Sequence, residues 1–274
     1  MTNRIRLIAL DLDGTTIDKA GVVHPRTLEA VAAARAAGVM VTLVTGRHHV
    51  TARPYHAELG LDGPAICCNG TYVYDFAADR VEVGDPMPKD DARRLLASAR
   101  RRGIHLLIYT TAAMTYEVEN RHMTGMLAWG RSLPEAVRPN IVQIPSFEAE
   151  IDRAPEVWKF VGSHDDLDLL AAWAGEAAAD PAYSAEYSWI DRVDVARAGN
   201  TKGSRLVSWA ALHGIAPDEI VAFGDNQNDL SMITAVGWGV AMGNADDEVK
   251  AAAREVIGPH GTDALGIAIE RLIA

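Results

Sequence analysis

The chain has 274 residues, 49% of them apolar, and a formal charge of −11, which is room for about two domains that each bury a core. An acidic surface repels nucleic-acid backbones and anionic lipids, so neither is an expected partner. No apolar run reaches eighteen residues and no leader pattern precedes Ile5, so the expectation is a cytoplasmic protein without a membrane span.

Residues 5–10 form a continuous apolar run with β-branched content and read as a strand buried on both faces. Pro25 opens a helix with Leu28, Val31 and Ala32 at helical spacing, and Gly38 stops it. Residues 39–44 are a second buried strand, residues 48–59 a helix closed by Gly60, and residues 65–68 a third strand. Residues 72–74 and 80–83 read as a short hairpin. The only cysteines, Cys67 and Cys68, are adjacent, which fits disulfide geometry poorly, and read as small core residues.

After Gly84 the alternation loses its regularity, and Asp85-Pro86-Met87-Pro88 resembles a linker. Helices are expected at 89–102 and 167–179, and strands at 104–109, 157–161 and 189–195. From Thr201 the strand–helix pattern returns, with helices at 202–213, 229–234, 245–253 and 263–273 and strands at 220–223 and 237–241. The fold class expected is α/β: a Rossmann-like parallel-sheet core (1–84 and 196–274) with an inserted α+β module (85–195).

Four segments put polar chemistry just beyond or among these core elements: Asp11-Leu12-Asp13-Gly14-Thr15, Thr45-Gly46-Arg47, Lys202, and Gly224-Asp225-Asn226-Gln227-Asn228-Asp229. Strand C-terminal ends share one edge of a parallel sheet, so these distant residues can meet in one crevice. Carboxylates, a hydroxyl, an Arg and a Lys together suit a divalent metal and a phosphate. In Asp11-x-Asp13 one carboxylate can attack phosphorus and the other can exchange a proton with the leaving group and with water. No Gly-x-Gly-x-x-Gly follows the first strand, which argues against dinucleotide binding.

In order and spacing the four segments resemble the four motifs of the haloacid dehalogenase superfamily of phosphatases. Thr-Gly-Arg and Gly-Asp-x-x-Asn-Asp are similar to its Cof-like branch, and the insert lies where that branch carries a C2-type cap. The resemblance implies Asp11 as nucleophile and Asp13 as general acid/base. It implies Mg²⁺ held by the Asp11 side chain, the Asp13 backbone carbonyl and the Asp225 side chain, with Asp229 supporting the metal site. Thr45, the Gly46 amide, Arg47, Lys202 and Asn228 would surround the transferring phosphate. The activity implied is Mg²⁺-dependent hydrolysis of a small phosphorylated metabolite, such as a sugar phosphate, through an aspartyl-phosphate. Two alternatives stay open: a phosphomutase using the same intermediate, and a non-catalytic regulatory protein on a phosphatase fold.

Other residues carry blander expectations. Arg93, Arg94, Arg100, Arg101 and Arg102 read as a solvated helix face. Trp129, Trp158, Trp173 and Trp189 read as packing for the insert. His122, Met123, Trp129 and Arg131 fall in an irregular stretch. His48 and His49 read as a surface helix start, and Gly237-Trp238-Gly239 as strand geometry.

Overall fold

The computed structural model describes residues 5–274 and divides into two compact units, the chain to Val83 with Asn200–Ala274, and Gly84–Gly199. The first unit begins with β1 (Leu7–Leu10), α1 (Pro25–Ala36), β2 (Met40–Leu43), α2 (His49–Glu58) and β3 (Ala65–Cys67). β4 (Tyr72–Asp75) and β5 (Arg80–Gly84) complete its first half. The second unit contains α3 (Lys89–Arg101), β6 (His105–Thr110), β7 (Met114–Tyr116), α4 (Arg121–Ser132), β8 (Ile141–Gln143) and α5 (Phe147–Arg153). It continues through β9 (Val157–Ser163), α6 (Leu167–Ala179), β10 (Tyr183–Trp189) and β11 (Arg192–Arg197). The first unit resumes with α7 (Lys202–Leu212), β12 (Ile220–Gly224), α8 (Leu230–Ala235), β13 (Trp238–Ala241), α9 (Asp247–Ala252), β14 (Glu255–Val256) and α10 (Ala264–Ile273).

The five-stranded sheet of the first unit runs β14-β13-β12-β1-β2, with every pairing parallel. β1 and β12 are buried along their whole length, as strands covered on both faces must be. The chain passes from β1 outward to β2 and later returns to β12 on the other side of β1. That reversal makes a topological switch point between β1 and β12, where a crevice opens beyond the strand ends. Asp11 follows β1 directly and Asp225 follows β12 directly. A parallel bridge from Val44 to Ile66 carries the sheet on to β3, which pairs antiparallel with β4.

The second unit is a six-stranded sheet, β10-β11-β9-β6-β7-β8, with a core of its own. Trp158 and Trp173 are fully buried, and Trp173 lies where a side chain at Gly162 would stand. Trp189, by contrast, is 62% exposed. The strand expected at 189–195 is instead a hairpin: β10 ends at Trp189, which pairs with Arg192 of β11. The turn, Ile190-Asp191, holds no Gly, Pro or Asn to interrupt the apolar pattern. The stretch around His122 is also regular, being α4, capped by the Asn120 side chain. Gly125 and Gly130 lower its helix propensity and hid it. The arginines of α3 and its C-cap pair with acids: Arg93 with Asp152, Arg94 with Asp91, Arg100 with Glu117, and Arg101 and the capping Arg102 with Glu176. Among the described residues no helix is long and apolar enough to cross a membrane.

Candidate active site

The sheet places the first two motifs on one edge because β1 and β2 run parallel in register, Leu10 opposite Leu43. Gly14 takes a left-handed φ of 81°, and a Cβ there would overlap the Asp225 carboxylate. Only glycine lets the first loop close on the fourth. Lys202 is the first residue of α7, whose end is fixed by reciprocal bonds between Thr201 and Ser204.

From that position the buried Lys202 Nζ donates to Asp11 Oδ1 and to Asp229 Oδ1, both at 2.6 Å. Asp229 Oδ2 accepts from the backbone amides of Asp225 and Asn226 at 3.0 and 3.1 Å, so both its oxygens are engaged. Asp225 is approached by Thr15 Oγ1 at 3.2 Å and by Asn244 Nδ2 at 3.1 Å. Asn244 also donates to the Gly14 carbonyl at 2.9 Å. Carboxylate oxygens of Asp11, Asp225 and Asp229 lie within 4.8 Å of one another.

One ammonium among three carboxylates leaves negative charge in excess. Burial, then Asp229, push the Asp11 carboxyl well above its ordinary range despite Lys202. Burial and Asp229 likewise push Asp225 up to about 7. For Lys202, burial opposes the charge, but Asp11 and Asp229 overcome it and raise its pKa. The two raised carboxylates call for a further cation. Hard carboxylate oxygens on Asp11 and Asp225 fit a divalent ion such as Mg²⁺.

Asp13 lies apart from that cluster. The Arg47 guanidinium grips it through two bonds, 2.7 Å from Nε and 2.6 Å from Nη2. Burial works against the Asp13 charge, but Arg47 outweighs it and holds the carboxyl below its usual range. Arg47 also lies 4.9 Å over the Tyr55 ring. Its side chain is therefore engaged by Asp13, whereas the sequence reading placed Arg47 at the phosphate. Thr45 is buried, and its hydroxyl accepts from the Arg47 amide at 3.1 Å. Gly46 lies against the Asn69 side chain, and the Asn228 amide donates to Asn69 Oδ1 at 3.1 Å.

The structure thus brings Asp11, Lys202, Asp225 and Asp229 into direct or near contact, joins Asp13 to Arg47, and sets Gly46 and Asn228 beside Asn69. Asn244 and Asn69 were missed. Asn244 follows the C-terminal end of β13, so the sheet-edge rule itself was a signal for it. His48 and His49, expected on the surface, are buried. His49 stacks on Tyr74 at 3.6 Å and bonds the Tyr72 hydroxyl at 2.9 Å, contacts supplied from β4.

A family model described as haloacid dehalogenase-like hydrolase matches residues 8–269. The chain belongs to that family. It is 45% identical over 260 residues to pyridoxal phosphate phosphatase of Escherichia coli (strain K12), covering 95% of this chain and 96% of the relative. It is 32% identical over 254 residues to HMP-PP phosphatase of Serratia proteamaculans (strain 568), covering 89% and 86%. A haloacid dehalogenase-like hydrolase from Bacteroides thetaiotaomicron superposes with a TM-score of 0.87 at 25% identity, covering 98% of this chain and all of the other. The chain is an enzyme, a phosphatase of this family.

Proposed function

We propose that this phosphatase hydrolyses a small phosphomonoester through a phosphorylated Asp11, and that pyridoxal phosphate is the first substrate to try. The observation that carries the mechanism is the Lys202 ammonium, 2.6 Å from Asp11 and 2.6 Å from Asp229 at the switch point of the sheet. It turns one oxygen of Asp11 toward a fixed cation and leaves the other for attack. That oxygen forms a bond to phosphorus as the bond to the leaving oxygen breaks. Asp13, once the Arg47 pair opens and it has taken up a proton from solvent, gives that proton to the leaving oxygen, and in the second step takes one from the attacking water. Thr45, the Gly46 amide, Lys202 and Asn228 are assigned to the phosphoryl oxygens, and Arg47, once released from Asp13, joins them. Positioning and charge neutralisation supply most of the rate in such a transfer. Mg²⁺ held by Asp11, the Asp13 carbonyl and Asp225 would supply charge neutralisation at the phosphate. The substrate assignment is supported by the pyridoxal phosphate phosphatase relative, similar along nearly the whole of both chains. The compartment assigned is the cytoplasm, which suits the buried, unbridged Cys67 and Cys68.

The test is phosphate release from pyridoxal phosphate, several sugar phosphates and an aryl phosphate in the presence of Mg²⁺, with Asp11→Asn in parallel. Turnover by the native chain that Asp11→Asn abolishes is expected. Turnover surviving in a folded Asp11→Asn protein would reject Asp11 as nucleophile, and isomerisation without net phosphate release would reject hydrolysis.

A further inference from the structure

Three consecutive residues, Cys68, Asn69 and Gly70, take left-handed backbone conformations with φ of 50°, 56° and 94°. Two of them carry a Cβ, and side chains disfavour this region. Strain of this kind persists only where the surroundings enforce it, and it concentrates at functional sites. Here the surroundings are the catalytic loops. The Cys68 amide donates to the Arg47 carbonyl and the Asn69 amide to the Thr45 carbonyl, each at 3.0 Å. The Gly70 carbonyl accepts from Arg205 Nε of α7 at 2.8 Å. A Cβ on Gly70 would overlap the Thr201 carbonyl beside Lys202.

Asn69 contributes a side chain as well. Its Oδ1 accepts from Asn228 Nδ2 at 3.1 Å and would lie 2.9 Å from a Cβ built on Gly46. Asn228 Oδ1 is buried and finds no partner among the described residues. Among the described residues, the hydrogen bond that fixes the Asn228 amide plane is the one to Asn69. That bond occupies one N–H of the amide and leaves the second for another acceptor. We infer that Asn69 is a positioning residue of this active site, one whose side chain aims the Asn228 amide while its backbone seats the Thr45-Gly46-Arg47 turn, without touching the substrate. This rests on the phosphoryl-transfer reading of the site.

Two variants separate the side chain from the backbone. Asn69→Gly removes the amide and relieves the left-handed strain, whereas Asn69→Ala removes the amide and keeps the strain. With an aryl phosphate as substrate and inorganic phosphate as inhibitor, both are expected to lower kcat/KM about tenfold, and to weaken phosphate inhibition by a similar factor. Only Asn69→Ala should lower the melting temperature. Asn69→Gly combined with Asn228→Ala should be no worse than Asn228→Ala alone, since both remove one function. Kinetics within twofold of native for Asn69→Gly, or losses that multiply in the pair, would overturn the inference. So would a kinetic loss confined to Asn69→Ala, or an Asn69→Gly protein that does not fold, because the role would then be structural. A native chain that releases no phosphate would overturn the function and this inference together, whereas an active native chain with an indifferent Asn69→Gly overturns only the latter.

Discussion

At the scale of single residues the site is a problem of charge. Lys202 is 1% exposed and shared by two carboxylates. Removing the one cation of this buried set leaves its carboxylates uncompensated, which costs about 3–5 kcal/mol. Lys202→Met should therefore lower unfolding stability by about that amount in chelator, as measured by urea titration, besides abolishing turnover. Asp11→Asn should lose several orders of magnitude in kcat while melting near the native temperature. Asn244→Ala frees the Asp225 carboxylate that Asn244 restrains. It should raise the Mg²⁺ concentration giving half-maximal thermal stabilisation by about tenfold, as loss of an outer hydrogen bond to a metal ligand does. An unchanged Mg²⁺ dependence of melting would remove Asn244 from that role. Asp11, Lys202 and Asp225 were legible because each is charged and follows or opens an apolar element. Asn69 and Asn244 were not, since an Asn beside a Gly signals a turn first and their partners lie far along the chain.

At the scale of elements, β1, β12 and the helices that follow them could be read because a strand buried on both faces leaves an uninterrupted apolar run. α4 and the β10–β11 hairpin could not: Gly125 and Gly130 weaken the helical signal of the one, and the turn of the other holds no Gly, Pro or Asn. The buried start of α2 is another such case, and it has a measurable consequence. Burial, and then the charge of Arg53, push His49 down to about 3. The unfolded chain takes up that proton near pH 6.5, so between the two values the unfolded state binds more protons and stability rises with pH. The contribution is complete above pH 6.5 and is lost as pH falls towards 3, amounting to roughly 2 kcal/mol by pH 5. His49→Gln should flatten the fall in unfolding free energy between pH 7 and pH 5 by up to one proton's worth. Parallel urea titrations at the two pH values check this, and an unaltered slope would show that another group governs it.

At the scale of the whole molecule, each unit owns its apolar core: one cluster draws only on residues between Met87 and Val195, another on β1–β4, α7, β12 and their neighbours. Excising residues 84–199 and joining the ends with a short flexible linker should leave a first unit that folds cooperatively. Because all four motifs lie outside the excised segment, that product should still hydrolyse an aryl phosphate weakly, while losing discrimination among metabolites. If the soluble remnant ranked substrates as the intact chain does, the inserted unit would not set specificity. An insert was legible as a break in the strand–helix rhythm, whereas its sheet order was not, since β7 and β8 are only three residues long.

The place of β1 in its sheet also sets a timetable for biosynthesis. One neighbour, β2, pairs Met40 with Leu7, and the other, β12, pairs Ile220 with the same residue. At a translation rate of about 5–20 residues per second, that second edge of β1 waits on the order of 10–40 s for its partner to be made. Throughout the wait an apolar strand offers unpaired amides and carbonyls to any other nascent chain. The segment emerging meanwhile has an apolar core of its own, and any collapse of it shortens the loop that must close. The yield of active enzyme in a cell is therefore exposed to the speed of the ribosome between codons 40 and 220 in a way that the equilibrium stability of the finished protein does not reveal.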